Sequence, residues 1–284
     1  MKFGHPFVKY QSLILNCCPV GLIPTKELTP HVPISPEEII KEGLGLAQKG
    51  PAILHLHARD NNGKPTWSKV VYKKIILGIR EKNSEIILCV STSGRLWSDF
   101  QKRSEVLELT GDAKPDMASL TPCSMNFPNH ASVNSPDIVR DLLRKMNDCG
   151  IKPELEVFDS GMMNIIHTLR KEGLLHDRSY INILLGNLGT ATADLGSLSL
   201  LVDQAEKDSI IAVSGIGRAA LPVHMTALAA GLHVRFGLED ALYMDSEKRK
   251  LATNFSLLKR LTDLSHLLNR PIASPAETRK MLGI

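Results

Sequence analysis

The residues best placed to do chemistry begin with a pair. In Ala52-Ile53-Leu54-His55-Leu56-His57-Ala58-Arg59-Asp60 an apolar run carries two histidines at i and i+2, then breaks into polar Asn61-Asn62-Gly63. Residues two apart in a strand point to the same face, so His55 and His57 would project together near the strand's end. Two converging imidazoles are most of a metal site that keeps a position open for substrate. The blander alternative is a pair of hydrogen-bonded core histidines. A second constellation is Arg235-Phe236-Gly237-Leu238-Glu239-Asp240. Arg235 lies on an apolar strand and needs a partner, and Asp240 is near. A guanidinium can hold a carboxylate ionised and oriented for proton abstraction, or the two can be a structural ion pair.

These residues need elements to position them. Buried strands are expected at Leu13–Cys18, Ala52–His57, Glu85–Val90, Asp116–Leu120, Pro153–Phe158, Tyr180–Leu185, Ile210–Ser214 and His233–Gly237. Helices are expected between them: from Ser35-Pro36-Glu37-Glu38 (a capping box with Pro at N1) to Lys49, then Trp67–Lys82, Ser98–Leu109, Pro136–Cys149, Met162–Lys171 and Leu195–Ala205. Another helix follows strand seven. A long one spans Glu247–Leu268, and a short one follows Ser274-Pro275. Eight strands alternating with helices predict a single-domain (β/α)8 TIM barrel over residues 1–284 with a C-terminal helical extension. An open doubly wound sheet is the rival architecture.

In such a barrel the active site forms at the C-terminal ends of the strands. His55 and His57 end strand two, Ser91 and Thr92 end strand three, Ser119 ends strand four, and Glu156 lies on strand five beside Glu154. Closing the barrel leaves only strand one between strands eight and two, so Glu239 could join the histidines. Two imidazoles and a carboxylate suit Zn²⁺. Otherwise Glu239 is a helix-start carboxylate favoured by the helix dipole. Gly215-Ile216-Gly217-Arg218 follows strand seven, where barrel phosphate sites commonly form, although a tight turn explains it equally well.

Composition narrows the function classes. Of 284 residues, 34 are basic and 30 acidic, a net charge of +4 without a dense Lys/Arg block, which argues against a nucleic-acid surface. No apolar run approaches the ~18–20 residues of a membrane span, and Met1–Ser12 lacks the apolar centre of a signal peptide. The five cysteines form no CxxC pair, as expected of reduced thiols in a cytoplasmic protein.

Taken in order, Leu13–Cys17, Pro33–Glu38, His55–Asp60, Ser91-Thr92, Ser124–Phe127, Lys152–Phe158, Gly215–Arg218 and Arg235–Asp240 resemble the β-keto acid cleavage enzymes over nearly the whole chain. The resemblance implies a zinc-dependent TIM barrel, usually a homotetramer, that converts a β-keto acid and acetyl-CoA into acetoacetate and a new acyl-CoA. It implies His55, His57 and Glu239 as zinc ligands and Arg235 and Asp240 as the pair that generates the nucleophile. Ser91, Ser119 and Glu156 would match substrate-pocket positions; Thr92, beside Ser91, is a further pocket candidate, and Gly215, Gly217 and Arg218, from their place after strand seven, are the candidate cofactor-binding turn.

Three departures bear on specificity. Members that take a cationic amino substrate carry Thr-Gly-Ala-Glu after the first strand, whereas this chain has Val20-Gly21-Leu22-Ile23. An ammonium tail against Ile23 would go unpaired, so a non-cationic substrate is expected. Arg95 stands where those members have a small residue. If it faces the pocket it could pair with an acidic tail, and if it faces solvent or another subunit Ile23 points to an apolar one; a neutral or apolar tail is the expectation. Leu185-Gly186-Asn187-Leu188-Gly189 departs from the usual Leu-Gly-Val-Pro-Gly-Gly. Two other functions remain open: an amidohydrolase-like metal hydrolase, which usually has His-x-His on strand one and further histidines on strands five and six, and a non-catalytic ligand-binding barrel.

Overall fold

Alternation along each strand sorts this chain into an inner and an outer face. In the computed structural model, which describes residues 10–284, eight parallel strands close into a barrel. They are β1 (Leu15–Cys17), β2 (Ile53–Leu56), β3 (Ile87–Val90), β4 (Met117–Leu120), β5 (Lys152–Val157), β6 (Tyr180–Leu185), β7 (Ile210–Gly215) and β8 (His233–Phe236). Each strand pairs with the next, and β8 pairs with β1. The registers Asn16↔Ile53 and Asn16↔Arg235 set β2 and β8 on either side of β1. Closure excludes the open doubly wound sheet. Of Met1–Ser12, the segment read as lacking a signal-peptide centre, residues 1–9 lie outside the described residues.

Period two stacks the inner residues in layers. Ile53, Ile87, Met117, Tyr180 and Ile210 belong to an apolar inner cluster at the N-terminal end of the barrel. Two residues further along five of these strands come His55, Cys89, Ser119, Asn182 and Ala212, so the interior grows polar toward the C-terminal end. The bottom is plugged by the chain's last segment: Leu13 N–H donates to Pro271 O, Ala273 N–H donates to Leu13 O, and Ala273 and Leu282 join the inner cluster. Among the described residues this segment closes the bottom of the barrel interior, and the polar layer faces the other end.

The helices bury one apolar stripe each against the outside of the sheet. Helix α1 (Pro36–Ala47) starts at the Ser35/Glu38 capping box and buries Ile39 and Leu46. Helix α2 (Lys69–Arg80) buries Tyr72, Ile75, Ile76 and Ile79. The others are α3 (Phe100–Ser104), α4 (Pro136–Asp148), α5 (Ser160–Lys171), α6 (Leu195–Gln204), α7 (Ala220–Ala229), α8 (Asn254–Leu267) and α9 (Pro275–Leu282). All five cysteines are free thiols. No helix among the described residues is long and apolar enough to cross a membrane.

Two boundaries and one added hairpin differ from expectation for local reasons. The C-terminal helix begins at Asn254 rather than Glu247, because the Asp245 carboxylate accepts the backbone N–H groups of Glu247, Arg249 and Lys250 and folds them into a turn. The segment Ser98–Leu109 is helix only to Ser104 and tightens into a 3₁₀ turn over Glu105–Glu108. A short antiparallel hairpin, Met125–Asn126 with Ala131–Ser132, stands over the barrel mouth. Its strands are too short to show a period.

Candidate active site

The barrel end gathers residues from the ends of β2, β3, β4, β5 and β8 around a cavity of about 390 Å³ whose walls include His57, Ser91, Arg95, Thr121, Phe127, Glu156, Arg235, Glu239 and Asp240. A larger cleft, about 570 Å³, opens at the opposite end beside the Arg80–Asp116–Arg279 ion pairs. It holds neither of the histidine clusters.

β2 carries His55, and His57 follows directly after it. Their Nε2 atoms lie 3.3 Å apart, and His57 Nε2 is 3.1 Å from Glu239 Oε1. His55 Nε2 is 3.8 Å from Glu239 Oε2, an oxygen that is buried and accepts no hydrogen bond. On its other side His55 Nδ1 lies 2.5 Å from Glu154 Oε2. A carboxylate there takes Nδ1–H as its donor, so the neutral ring presents the Nε2 lone pair toward His57 and Glu239. Two imidazole nitrogens and an unfilled carboxylate oxygen thus converge on one point, which is the donor set of a divalent cation such as zinc.

A second grouping, His55 with Cys89 and Glu154, is different. Glu154 accepts from Asn16 Nδ2 and Asn182 Nδ2, each at 2.6 Å, and from Cys89 Sγ at 3.2 Å, besides His55. Its oxygens are filled, so it orients His55 rather than holding an ion. Burial opposes its charge, but His55 and then Arg235 outweigh that and hold the carboxyl well below the usual range. Glu239 is likewise disfavoured by burial and held ionised by His57, Arg235 and His55.

Arg235 is the electrostatic hub. Its Nη1 lies 2.6 Å from Glu156 Oε1 and 4.0 Å from Glu154 Oε2, its Nη2 is 3.1 Å from Glu239 Oε1, and its Nε is 3.1 Å from Asp240 Oδ2. Burial opposes the guanidinium charge, and Asp240 and the other carboxylates more than restore it. Asp240 Oδ2 also accepts from Ser214 Oγ at 2.7 Å and Cys18 Sγ at 3.3 Å, whereas Oδ1 has only the 3.4 Å contact from Arg235 Nη2. One carboxylate oxygen is therefore anchored and the other left available.

Glycine lets these elements approach. A Cβ on Gly237 (φ +154) would lie 2.1 Å from the Cys18 carbonyl oxygen, and one on Gly21 (φ +72) would lie 2.7 Å from Glu239 Cγ. Without those two residues the β1 loop could not lie against the β8 turn.

The remaining sequence candidates divide. Ser91, Glu156, Ile23 and Arg95 line the cavity. Thr92 and Ser119 are absent from its walls and engage each other instead: Thr92 Oγ1 donates to Ser119 O at 2.5 Å. Thr121, two residues beyond Ser119 on the same face, reaches the cavity and donates to Glu156 Oε2 at 3.1 Å. Gly215, Gly217 and Arg218 form the turn into α7, outside the cavity walls, with Gly217 N–H donating to Asp240 O at 2.7 Å. Of the positions where an amidohydrolase-like centre would place histidines, β5 carries Glu154 and Glu156 and β6 has no histidine.

Several supports carried no sequence signal. Buried Arg103 donates to Thr92 O, Val133 O and Asn134 Oδ1, tying the β3 turn to the hairpin that bears Phe127. Buried Arg59 donates to Gly21 O, Pro24 O and Gly63 O. Apart from Gly63, four residues from Arg59, their targets lie 11 to 38 residues away, mostly main-chain carbonyls, and no local pattern encodes such partners.

Comparison with known proteins agrees with this geometry. The family model for beta-keto acid cleavage enzyme matches residues 12–284. The chain is 32% identical over 275 residues to the 3-keto-5-aminohexanoate cleavage enzyme of Acetoanaerobium sticklandii, covering 96% of this chain and 99% of that one. It is 31% identical over 278 residues to the 3-oxoadipate:acetyl-CoA acetyltransferase of Cupriavidus necator, covering 96% and 95%. Among solved structures, a ternary complex of ObcA with a C4-CoA adduct and oxalate shares the fold, with a TM-score of 0.75 and 21% identity over 90% of this chain and 68% of that one. The chain belongs to the beta-keto acid cleavage enzyme family.

Proposed function

We propose that this protein exchanges acyl groups between a non-cationic β-keto acid and acetyl-CoA, yielding acetoacetate and a new acyl-CoA, with Zn²⁺ held by His55, His57 and Glu239. The observation that carries this is the asymmetry of Asp240. Three donors fix Oδ2, Oδ1 keeps a single 3.4 Å contact, and Asp240 lines the same cavity as His57 and Glu239 of the metal-type donor set.

When bound there, zinc would act as a Lewis acid on the oxygens of the substrate. Asp240 Oδ1 takes the C2 proton as general base, while Arg235 holds the carboxylate in place. The C2 carbanion attacks the acetyl thioester and releases CoA thiolate. The thiolate then attacks the former keto carbon, the C2–C3 bond breaks, and the acetoacetate carbanion recovers the proton from Asp240. No electrons are gained or lost, so no redox cofactor is required. Ser91 and Glu156, the latter fixed by Arg235 and Thr121, lie within the same cavity to orient the keto acid. Thr92 and Ser119 act behind it by shaping the β3 and β4 ends. In this reading Gly215, Gly217 and Arg218, at the start of α7, meet the CoA phosphates. The resemblance adds a homotetramer working in the cytoplasm.

Mass spectrometry of acyl-CoA products from zinc-loaded protein, acetyl-CoA and a panel of β-keto acids tests the proposal. A new acyl-CoA with matching acetoacetate is expected. In Asp240→Asn it should fall roughly 10²- to 10⁴-fold, the span of general-base catalysis, with zinc content retained. Absence of any new acyl-CoA from zinc-loaded wild type would overturn the reaction assigned here.

A further inference from the structure

Two guanidinium groups line the cavity, and their surroundings differ. Arg235 has carboxylate oxygens of Glu154, Glu156, Glu239 and Asp240 within 4.0 Å. Arg95, among the described residues, has no ion pair and no side-chain hydrogen bond, and its Nε is buried without an acceptor. Its position is nonetheless fixed. The guanidinium carbon lies 3.7 Å from the centroid of the Phe127 ring, which packs edge-on against Phe158. The backbone N–H of Arg95 donates to Ser93 Oγ at 3.3 Å. A half-buried cation with unfilled donors is unfavourable by itself and invites an anionic acceptor. The wall of the same cavity carries the apolar side chains Leu22, Ile23, Phe127, Pro128 and Leu188, of which Phe127 touches Arg95, along with the polar Ser93, Ser132 and Asn187.

We propose that Arg95 and this apolar wall form a subsite for a carboxylate-terminated aliphatic tail, making the preferred substrates β-keto diacids. The proposal rests on the cavity being a β-keto acid site. Methylenes of the tail would lie against the apolar residues, and the planar guanidinium, pre-oriented on Phe127, would receive the second carboxylate through paired N–H donors. An ammonium tail would meet Ile23 and a like charge. A purely apolar tail would leave Arg95 unpaired. A charged hydrogen bond of this kind corresponds to about a 10- to 100-fold preference.

The test compares 3-oxoadipate with 3-oxohexanoate, equal in carbon number but with and without the second carboxylate, in acetyl-CoA exchange by wild type and Arg95→Met. The expected result is a diacid preference of about tenfold or more in kcat/KM, collapsing in the variant. The proposal is overturned if the wild type shows no preference. It is equally overturned if the variant loses both acids in the same proportion, which assigns Arg95 to the shared carboxylate, or if the KM of acetyl-CoA rises instead. Calorimetric binding of unreactive glutarate against butyrate separates this subsite from the reaction. Arg95-dependent tighter glutarate binding upholds the subsite even if no exchange occurs, and equal binding overturns it.

Discussion

Glu154 Oε2 sits 2.5 Å from Nδ1 of His55, on the far side of the imidazole from Glu239. A carboxylate on one ring nitrogen fixes the tautomer and raises the basicity of the other. Glu154 is in turn held by two asparagine amides and a thiol, so the ring's orientation is set from beneath the cavity floor.

Glu154→Gln is therefore expected to weaken zinc binding by about 10- to 100-fold while leaving all three ligands in place. Competitive titration with a zinc chelator measures this. Unchanged affinity would mean that the contact does not set the tautomer.

Arg235→Lys keeps a charge and loses the fork. A single ammonium cannot serve Glu156, Glu239 and Asp240 together, so buried carboxylate charge is left uncompensated. The expected outcome is roughly 3–5 kcal/mol of lost stability, read from denaturant midpoints, together with loss of acyl exchange. A variant as stable as wild type would show that the cluster tolerates its own repulsion.

Gly21→Ala would force a Cβ to 2.7 Å from Glu239 Cγ at a backbone φ of +72. The side chain of Glu239 must move, so zinc affinity should drop by about tenfold or more, on top of about 1–2 kcal/mol of backbone strain. Zinc titration beside thermal unfolding separates the two effects.

Two histidines away from the metal-type cluster make the fold sensitive to acid. Burial, reinforced by Arg270, lowers His233 to about 3, and burial lowers His224 to about 4. His233 Nδ1 accepts the Ile14 N–H at 3.0 Å, and His224 Nε2 lies 2.9 Å from Arg235 O. Unfolded, both protonate near pH 6.5. Below that the unfolded chain holds more protons than the folded one, so stability is fully present above about pH 6.5 and declines as pH falls toward the folded values. Each imidazole contributes a slope on the order of 1.4 kcal/mol per pH unit. His233→Asn, which keeps an acceptor for Ile14, should lose its share of that slope between pH 6 and 4 in urea titrations. An unchanged slope would show that His233 already protonates in the folded state.

The sequence by itself determined the barrel and the ends of its strands. Period two made His55 and His57 share a face, caps such as Ser35 and Ser135 started helices, and eight strand–helix units left closure as the economical topology. It also singled out His55, His57, Glu239, Arg235 and Asp240, because each is a polar residue where an apolar strand runs out. Spacing could not say which of several strand-end hydroxyls reaches the cavity. Thr121 does so while Ser119 and Thr92 bond to each other, since strand stagger in the closed barrel sets the height of each residue. Nor could it say that Glu154 orients a histidine while Glu156 faces the cavity. The two share a strand face and differ only in depth, which exists once the barrel closes. The direction of Arg95 was likewise open in the sequence. A hairpin of two-residue strands supplies the Phe127 ring on which it lies, and only tertiary packing brings residues 95 and 127 together.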